Sequence, residues 1–104
     1  MSLFDIFITC LSWGSGSKSR PVMILQKTDN TISVFPITTQ YKNKSKTIQA
    51  QYFKINDWSQ AGLDKQSYID TGTLLELPLT VIKNKQPIGK LTAADMQNLL
   101  VFLS

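Results

Sequence analysis

The chain contains no histidine among its 104 residues and only one cysteine, Cys10. Without an imidazole it cannot form a Ser-His-Asp or Cys-His triad, and a zinc site with histidine ligands is excluded. A single thiol cannot form an intramolecular disulfide, which excludes a disulfide-rich secreted scaffold. We therefore expect chemistry that uses no protein-bound transition metal and no cofactor, and we expect Cys10 to pack in the apolar N-terminal stretch.

Long apolar runs are also missing. No stretch approaches the roughly 20 apolar residues that a membrane-spanning helix needs, and the apolar segment 1–11 carries Asp5 and no basic start, unlike a signal peptide. These features predict a cytoplasmic location. A length of 104 residues and a hydrophobic content of 42% predict one compact domain over residues 1–104.

Acidic residues are scarce: seven Asp and Glu stand against eleven Lys and Arg, so the net charge is +4. This excess suits a polyanionic partner, either nucleic acid or an acidic protein. The same excess of positive charge is equally consistent with a small domain whose net charge serves only to keep it in solution. Three of the lysines, Lys42, Lys44 and Lys46, fall in the acid-free segment 40–46, which we interpret as a basic, solvated loop.

Short strands dominate the secondary structure that the sequence predicts. β-branched, aromatic and other apolar residues indicate strands or extended segments at 4–11, 21–26, 31–38, 47–55, 67–70, 74–83 and 87–90. Glycine and serine indicate a flexible loop at 12–19. Pro78 predicts that segment 74–83 is bent or lies at an edge, and Gly62 is typical of the end of a single helical turn at 57–62.

The C-terminal segment predicts a helix over 92–103. Thr92 can cap it, with Asp95 three residues on. Four apolar side chains fall on one helical face that would pack on the sheet, namely Met96, Leu99, Leu100 and Leu103. Five to seven short strands with one such helix predict a mainly β, α+β fold, as a strongly bent sheet or a small, partly open barrel.

Arg20 and Thr38 are the first candidates for chemistry. Arg20 begins a predicted central strand, where its fork of donors could bind a phosphate diester, although an arginine at a strand end also commonly pairs with a carboxylate or reaches to water. If 21–26 and 31–38 pair as an antiparallel hairpin, Thr38 lies at the same end as Arg20. Because threonine is common in strands for its propensity alone, position leaves both interpretations open.

Four segments, in their order along the chain, resemble the PemK/MazF family of toxins from toxin–antitoxin pairs. They are Lys18-Ser19-Arg20-Pro21 with the apolar run to Leu25, Pro36-Ile37-Thr38-Thr39, 61–69 and 88–95. The chain departs from the family's pattern at the N-terminus, where only Asp5 remains of the usual Gly-Asp dipeptide. The resemblance implies an SH3-like β-barrel with appended helices, a homodimer, and a metal-independent endoribonuclease that cuts single-stranded RNA at short sequences.

The resemblance assigns the family's arginine to Arg20 and its threonine to Thr38, with Asp70 as the candidate for a third catalytic residue. RNA brings its own nucleophile, the ribose 2′-OH, so the protein must move protons and stabilise the charge on the phosphorane. Arg20 suits charge stabilisation, because a guanidinium stays protonated and is a poor acid. Thr38 is a weak base, so we expect it to orient the phosphate or the 2′-OH.

The residues predicted to bind RNA lie in the loops around this site: Trp13, Lys18, Ser19, Thr39, Tyr41, Lys42, Lys44 and Lys46. Lysines would follow the phosphates, and Trp13 and Tyr41 would stack unpaired bases. The resemblance further implies an acidic, partly disordered antitoxin protein as partner. The alternatives are a non-catalytic SH3-like module of the same family that binds an antitoxin-type peptide or nucleic acid, and a domain that binds only protein.

Overall fold

The computed structural model describes residues 2–13 and 16–104, and the side chains of all of these except 11–13 and 17. The predicted stacking role of Trp13 therefore lies outside the described residues. Within the described ranges the chain forms seven strands, two α-helices and one 3₁₀ turn. They are β1 (Asp5–Trp13), β2 (Gly16–Lys27), β3 (Thr31–Thr38), α1 (Lys46–Gln49), β4 (Tyr52–Lys54), β5 (Tyr68–Asp70), β6 (Leu75–Pro78), the 3₁₀ turn Leu79–Val81, β7 (Gly89–Lys90) and α2 (Ala93–Leu103).

The strands form a curled antiparallel sheet in the order β4-β5-β3-β2-β1-β7. β2 pairs with one edge of β3. The other edge is divided, since β6 pairs with Thr31–Val34 and β5 with Ile37 and Thr38. This half-barrel with a C-terminal helix confirms the predicted mainly β, α+β fold.

Both faces of the central strands are buried, because successive side chains of β1, β2 and β3 enter two separate cores. The core under α2 contains Ile6, Met23, Phe35, Ile37, Phe53, Ile55, Ala61, Ile69, Leu91 and Leu99. The core on the opposite face contains Phe7, Val22, Ile24, Ile32, Val34 and Ile82, with Leu75, Leu77, Leu79 and Val81 packed against it. A strand that is buried on both faces has a continuous run of apolar residues in its sequence. This explains the apolar run from Val22 to Leu25 in β2.

The helix predicted at the C-terminus is confirmed as α2, with Thr92 as its N-cap: the Thr92 hydroxyl accepts a hydrogen bond from the Asp95 N–H at 3.3 Å. The predicted apolar stripe is only half right. Met96 and Leu99 pack on the sheet, but Leu100 and Leu103 stay exposed. Leu100 lies 100° around the helix from Leu99, outside the contact face, and Leu103 lies in the last turn.

The loop predicted at 12–19 is wrong for the residues that the structure describes. Residues 12, 13 and 16–19 belong to β1 and β2, which pair from Cys10↔Ser19 to Trp13↔Gly16. Inter-strand pairing here outweighs the local preference of glycine and serine for loops. Cys10 is also exposed rather than packed, because side chains alternate along β1 and its neighbour Thr9 takes the buried side.

The single strand predicted over 47–55 is wrong as well, because a short helix replaces its first half. The Ser45 side chain accepts a hydrogen bond from the Ile48 N–H at 3.3 Å and so caps α1. Only Tyr52–Lys54 pair in the sheet, with β5. β3 occupies the predicted range 31–38. The strand predicted over 74–83 is right only in its first half, because β6 ends at Pro78 and the 3₁₀ turn Leu79–Val81 follows.

Gly62 and Gly89 let two backbone segments touch. Gly62 ends the turn that follows Asp57 and has a φ of +91°, and a Cβ there would overlap the carbonyl group of Ile88. A Cβ on Gly89 would in turn overlap the carbonyl group of Ala61. Both glycines belong to segments that carry the family resemblance, and their role is this close approach between the turn and β7.

We expect Gly89→Ala to lower the free energy of unfolding by about 2–3 kcal/mol, because Gly89 in β7 is paired with Ile6 and the new Cβ would overlap backbone atoms rather than a movable side chain. The measurement is urea unfolding followed by tryptophan fluorescence. Gly72→Ala is the matched control, since a Cβ at Gly72 meets the end of the flexible Gln51 side chain, and we expect it to cost less than about 0.5 kcal/mol. Equal losses in the two variants would contradict the explanation.

Candidate active site

The β2–β3 hairpin brings Arg20 and Thr38 to the same end, as the sequence predicts. Val22 pairs with Pro36, so Arg20 and Thr38 lie two residues further along each strand on the same face of the sheet. β3 stops at Thr38 while β2 continues to Gly16, which opens a cavity of about 140 Å³. The residues that line it include Lys18, Ser19, Arg20, Ile37, Thr38 and Thr39.

Thr38 is held so that its hydroxyl hydrogen is the group it can offer to a ligand. Its Oγ1 accepts a hydrogen bond from the Gln40 N–H at 3.0 Å, a local turn that is typical of threonine at the end of a strand. A hydroxyl that already accepts a hydrogen bond is a poor proton acceptor, but it can donate to a phosphate oxygen. This geometry favours the orienting role predicted for Thr38.

Arg20 is half-buried and stands on β2, which pairs with β1 at this position and with β3 from Val22 onward. On β1 its direct partner is Thr9, whose side chain is 1% exposed. The Thr9 Oγ1 has no hydrogen-bond partner among the described residues. Because its backbone is held in the sheet by the pairing with Thr9, the Arg20 guanidinium needs little backbone rearrangement to bind an anion.

Asp70 lies on β5 and does not line the cavity of Arg20. Its carboxylate accepts hydrogen bonds from the Gly72 N–H at 3.0 Å and the Thr73 hydroxyl at 2.9 Å, so it caps the turn after β5. Tyr52 pairs with Asp70 across β4 and β5. Burial and the Asp70 carboxylate raise the pKa of Tyr52, whereas the Arg20 guanidinium lowers it. The Tyr52 phenol therefore stays neutral, and its pKa depends on the charges of both Asp70 and Arg20.

Beside the cavity lies a wider groove of about 440 Å³, which we call the tyrosine groove. It is lined by Thr39, Gln40, Tyr41, Lys42, Asn43, Gln66 and Tyr68. The rings of Tyr41 and Tyr68 stack with centroids 4.4 Å apart and planes 10° apart, and Tyr52 lies 6.3 Å from Tyr41. Thr39 lines both the cavity and the groove, so the two adjoin at this residue.

The predicted RNA-binding lysines divide between these two surfaces. Lys18 lines the cavity and Lys42 lines the groove. Lys44 is half-buried in the segment before α1, where its N–H donates to the Tyr41 carbonyl at 3.0 Å, and Lys46 is exposed at the start of α1. The structure therefore places two of the four lysines against the site and two beside it.

Sequence reasoning missed Tyr52, Tyr68 and Gln66. The signal for Tyr68 was present, because it lies two residues before Asp70 on a predicted strand and so shares its face. No sequence pattern indicates that Tyr41, in a loop, stacks on Tyr68. That contact depends on the pairing of Thr38 with Tyr68 across β3 and β5.

Across residues 2–13 and 16–104, no three Cys, Asp or Glu side chains come close enough together to hold a metal ion. In the same part of the chain, no helix combines the length and apolar character needed to span a membrane.

The small, curled antiparallel sheet defines a β-barrel-like protein. Its open hairpin end carries a guanidinium, a hydroxyl and lysines, and these groups suit an anionic ligand. A family model described as PemK-like, MazF-like toxin of type II toxin–antitoxin system matches residues 3–103. The chain therefore belongs to this toxin family, and an antitoxin is its expected partner. A comparison with curated proteins gave no match.

Proposed function

We propose that this toxin is an endoribonuclease that cuts single-stranded RNA in the cytoplasm. The observation that carries the proposal is the convergence of Arg20, Thr38 and Lys18 on one cavity. A cationic cavity with the Thr38 hydroxyl beside the guanidinium matches a phosphate diester in charge and in hydrogen-bonding pattern. Membership of the toxin family supports the same activity.

In the proposed reaction, the ribose 2′-oxygen attacks the adjacent phosphorus. The new bond joins that oxygen to phosphorus as the 2′-hydroxyl gives up its proton. The bond from phosphorus to the 5′-oxygen breaks and that oxygen takes up a proton, so the products are a 2′,3′-cyclic phosphate and a 5′-hydroxyl. Arg20 stabilises the charge that develops on the non-bridging oxygens, and Thr38 orients the phosphate. Asp70, which lies on β5 outside the cavity lining, remains the candidate for a third catalytic residue.

The proposed partners are RNA, an acidic antitoxin and a second copy of the chain. The last turns of α2 support the homodimer, because Leu100, Val101, Phe102 and Leu103 are all exposed there. Apolar residues grouped in this way are typical of surfaces that another chain covers.

The test is primer-extension mapping of a long RNA treated with the purified protein. We expect cuts at a short recurring sequence, with the same pattern and rate in excess EDTA. Because the chain has no histidine, the rate should show no change of slope near pH ~6.5. RNA that stays intact under all these conditions, from a protein that is folded and binds RNA, would favour the non-catalytic alternative.

A further inference from the structure

The tyrosine groove has the chemistry of a nucleobase site. Tyr41 and Tyr68 form an ordered, stacked pair, and both are half-buried, so part of each ring faces solvent. The pair is held from outside the groove: Gln49 Nε2 donates to the Tyr41 carbonyl at 2.8 Å, and Tyr68 is fixed in β5. A platform that is already ordered loses little entropy when a planar ring docks on it.

The polar lining of the groove can read the edge of a base. Gln66 Nε2 donates to the carbonyls of Ile55 and Ser67, at 2.8 and 3.1 Å. Both hydrogens of that amide are engaged, so the side chain can offer only its oxygen, an acceptor, to a ligand. Gln40 and Asn43 add further amide groups on the same lining, and together they suit a ring that carries N–H groups.

The positive charge of the groove favours an RNA ligand over a cationic or an uncharged ligand. Lys42 lines the groove, Lys44 comes two residues later in the sequence, and the lining contains no Asp or Glu. The groove also meets the Arg20 cavity through Thr39, and Thr38 pairs directly with Tyr68. A base held at the tyrosines would therefore belong to a nucleotide next to a phosphate held at Arg20.

We propose that the tyrosine groove binds one unpaired nucleobase of the RNA, in the nucleotide adjacent to the phosphate that is cut. This inference rests on the proposed function and adds a site to it. Stacking on Tyr41 and Tyr68 provides the affinity, and the oxygen of Gln66, the acceptor that its amide leaves available, favours bases that carry an N–H donor. The groove thereby contributes to which sequence the toxin recognises.

The experiment compares two ligands that carry equal charge. One is a set of short 2′-fluoro oligomers of A, C or U, which lack the nucleophilic hydroxyl, and the other is an abasic oligomer of the same length. Their affinities are measured by fluorescence anisotropy for the wild type, Tyr41→Leu and Tyr41→Phe. Since phosphate contacts are the same in both ligands, the ratio of the two affinities isolates the contribution of the bases.

We expect the wild type to bind at least one base-containing oligomer about tenfold more tightly than the abasic one. Tyr41→Phe keeps the ring and should keep most of this ratio, whereas Tyr41→Leu should reduce it severalfold with little change in abasic binding. A ratio that is the same in all three proteins, in a toxin that still cuts RNA, would overturn the inference alone. If the protein neither bound nor cut RNA, both this inference and the proposed function would be overturned. An antitoxin side chain would then be the expected occupant of the groove.

Discussion

Arg20→Ala should lower the rate constant of RNA cleavage by roughly 10³-fold or more, and it should abolish growth arrest when the toxin is expressed. The variant removes the one guanidinium that lines the cavity, which in the proposed reaction stabilises the charge on the phosphorane. The loss of a single pre-placed donor of this kind costs roughly 10²–10³-fold, and an arginine that neutralises phosphoryl charge is worth roughly 10³–10⁵-fold. The measurement is single-turnover cleavage of a short RNA that contains a mapped cut site.

Arg20→Lys is the matched control, because it keeps the positive charge and loses the planar fork of donors. We expect an intermediate rate, closer to that of Arg20→Ala if two hydrogen bonds to the phosphate are required. The unfolding midpoint of each variant shows whether the fold is intact, and half-burial of Arg20 predicts a small change. Cleavage by Arg20→Ala at the wild-type rate would contradict both the assignment and the mechanism.

Asp95→Ala should lower the free energy of unfolding by about 3 kcal/mol, the largest stability effect that we predict. Asp95 is 0% exposed, and its carboxylate accepts hydrogen bonds from the Asn56 N–H at 3.2 Å and the Asp57 N–H at 2.8 Å. It thereby joins the first turn of α2 to the segment after β4. Hydrogen bonds to a charged group contribute roughly 1.5–3 kcal/mol each, and alanine would leave both donors without their acceptor.

Urea unfolding measures the effect, and two variants control for it. Asp95→Asn keeps one acceptor oxygen and should lose about half as much. Asp29→Ala removes a carboxylate that is exposed in the turn between β2 and β3, and it should change the stability by less than about 0.5 kcal/mol. If Asp95→Ala were no more costly than Asp29→Ala, the buried carboxylate would not hold α2 in place.

Elements with a strong local signal were predictable. β3 matches its predicted range because apolar residues and turn residues mark both of its ends, and α2 begins where the Thr92 side chain can cap it. The loop predicted at 12–19 and the strand predicted at 47–55 failed for one shared reason. In both segments a hydrogen-bonding partner, either the paired strand or the capping Ser45, outweighed the intrinsic preference of the residues.

The same division applies to the site. That Arg20 and Thr38 share one end follows from the hairpin alone, because antiparallel pairing of neighbouring strands sets the register between them. The association of Tyr41 with Tyr68, and of Tyr52 with both Arg20 and Asp70, needs β4 and β5 to return to the edge of β3. Contacts between segments so far apart in the chain have no local periodicity that would reveal them.

By itself, the sequence determined what chemistry is available and where the proposed phosphate site begins. The absence of histidine, the single cysteine and the arginine at the start of a central strand are properties of residue type and order. Only the tertiary structure decided that an aromatic groove adjoins Arg20, that Asp70 caps a turn, and that Gly62 and Gly89 meet. The physical reason is that the curl of the sheet, and not proximity along the chain, brings the edge of β3 together with β5 and the loop that carries Tyr41.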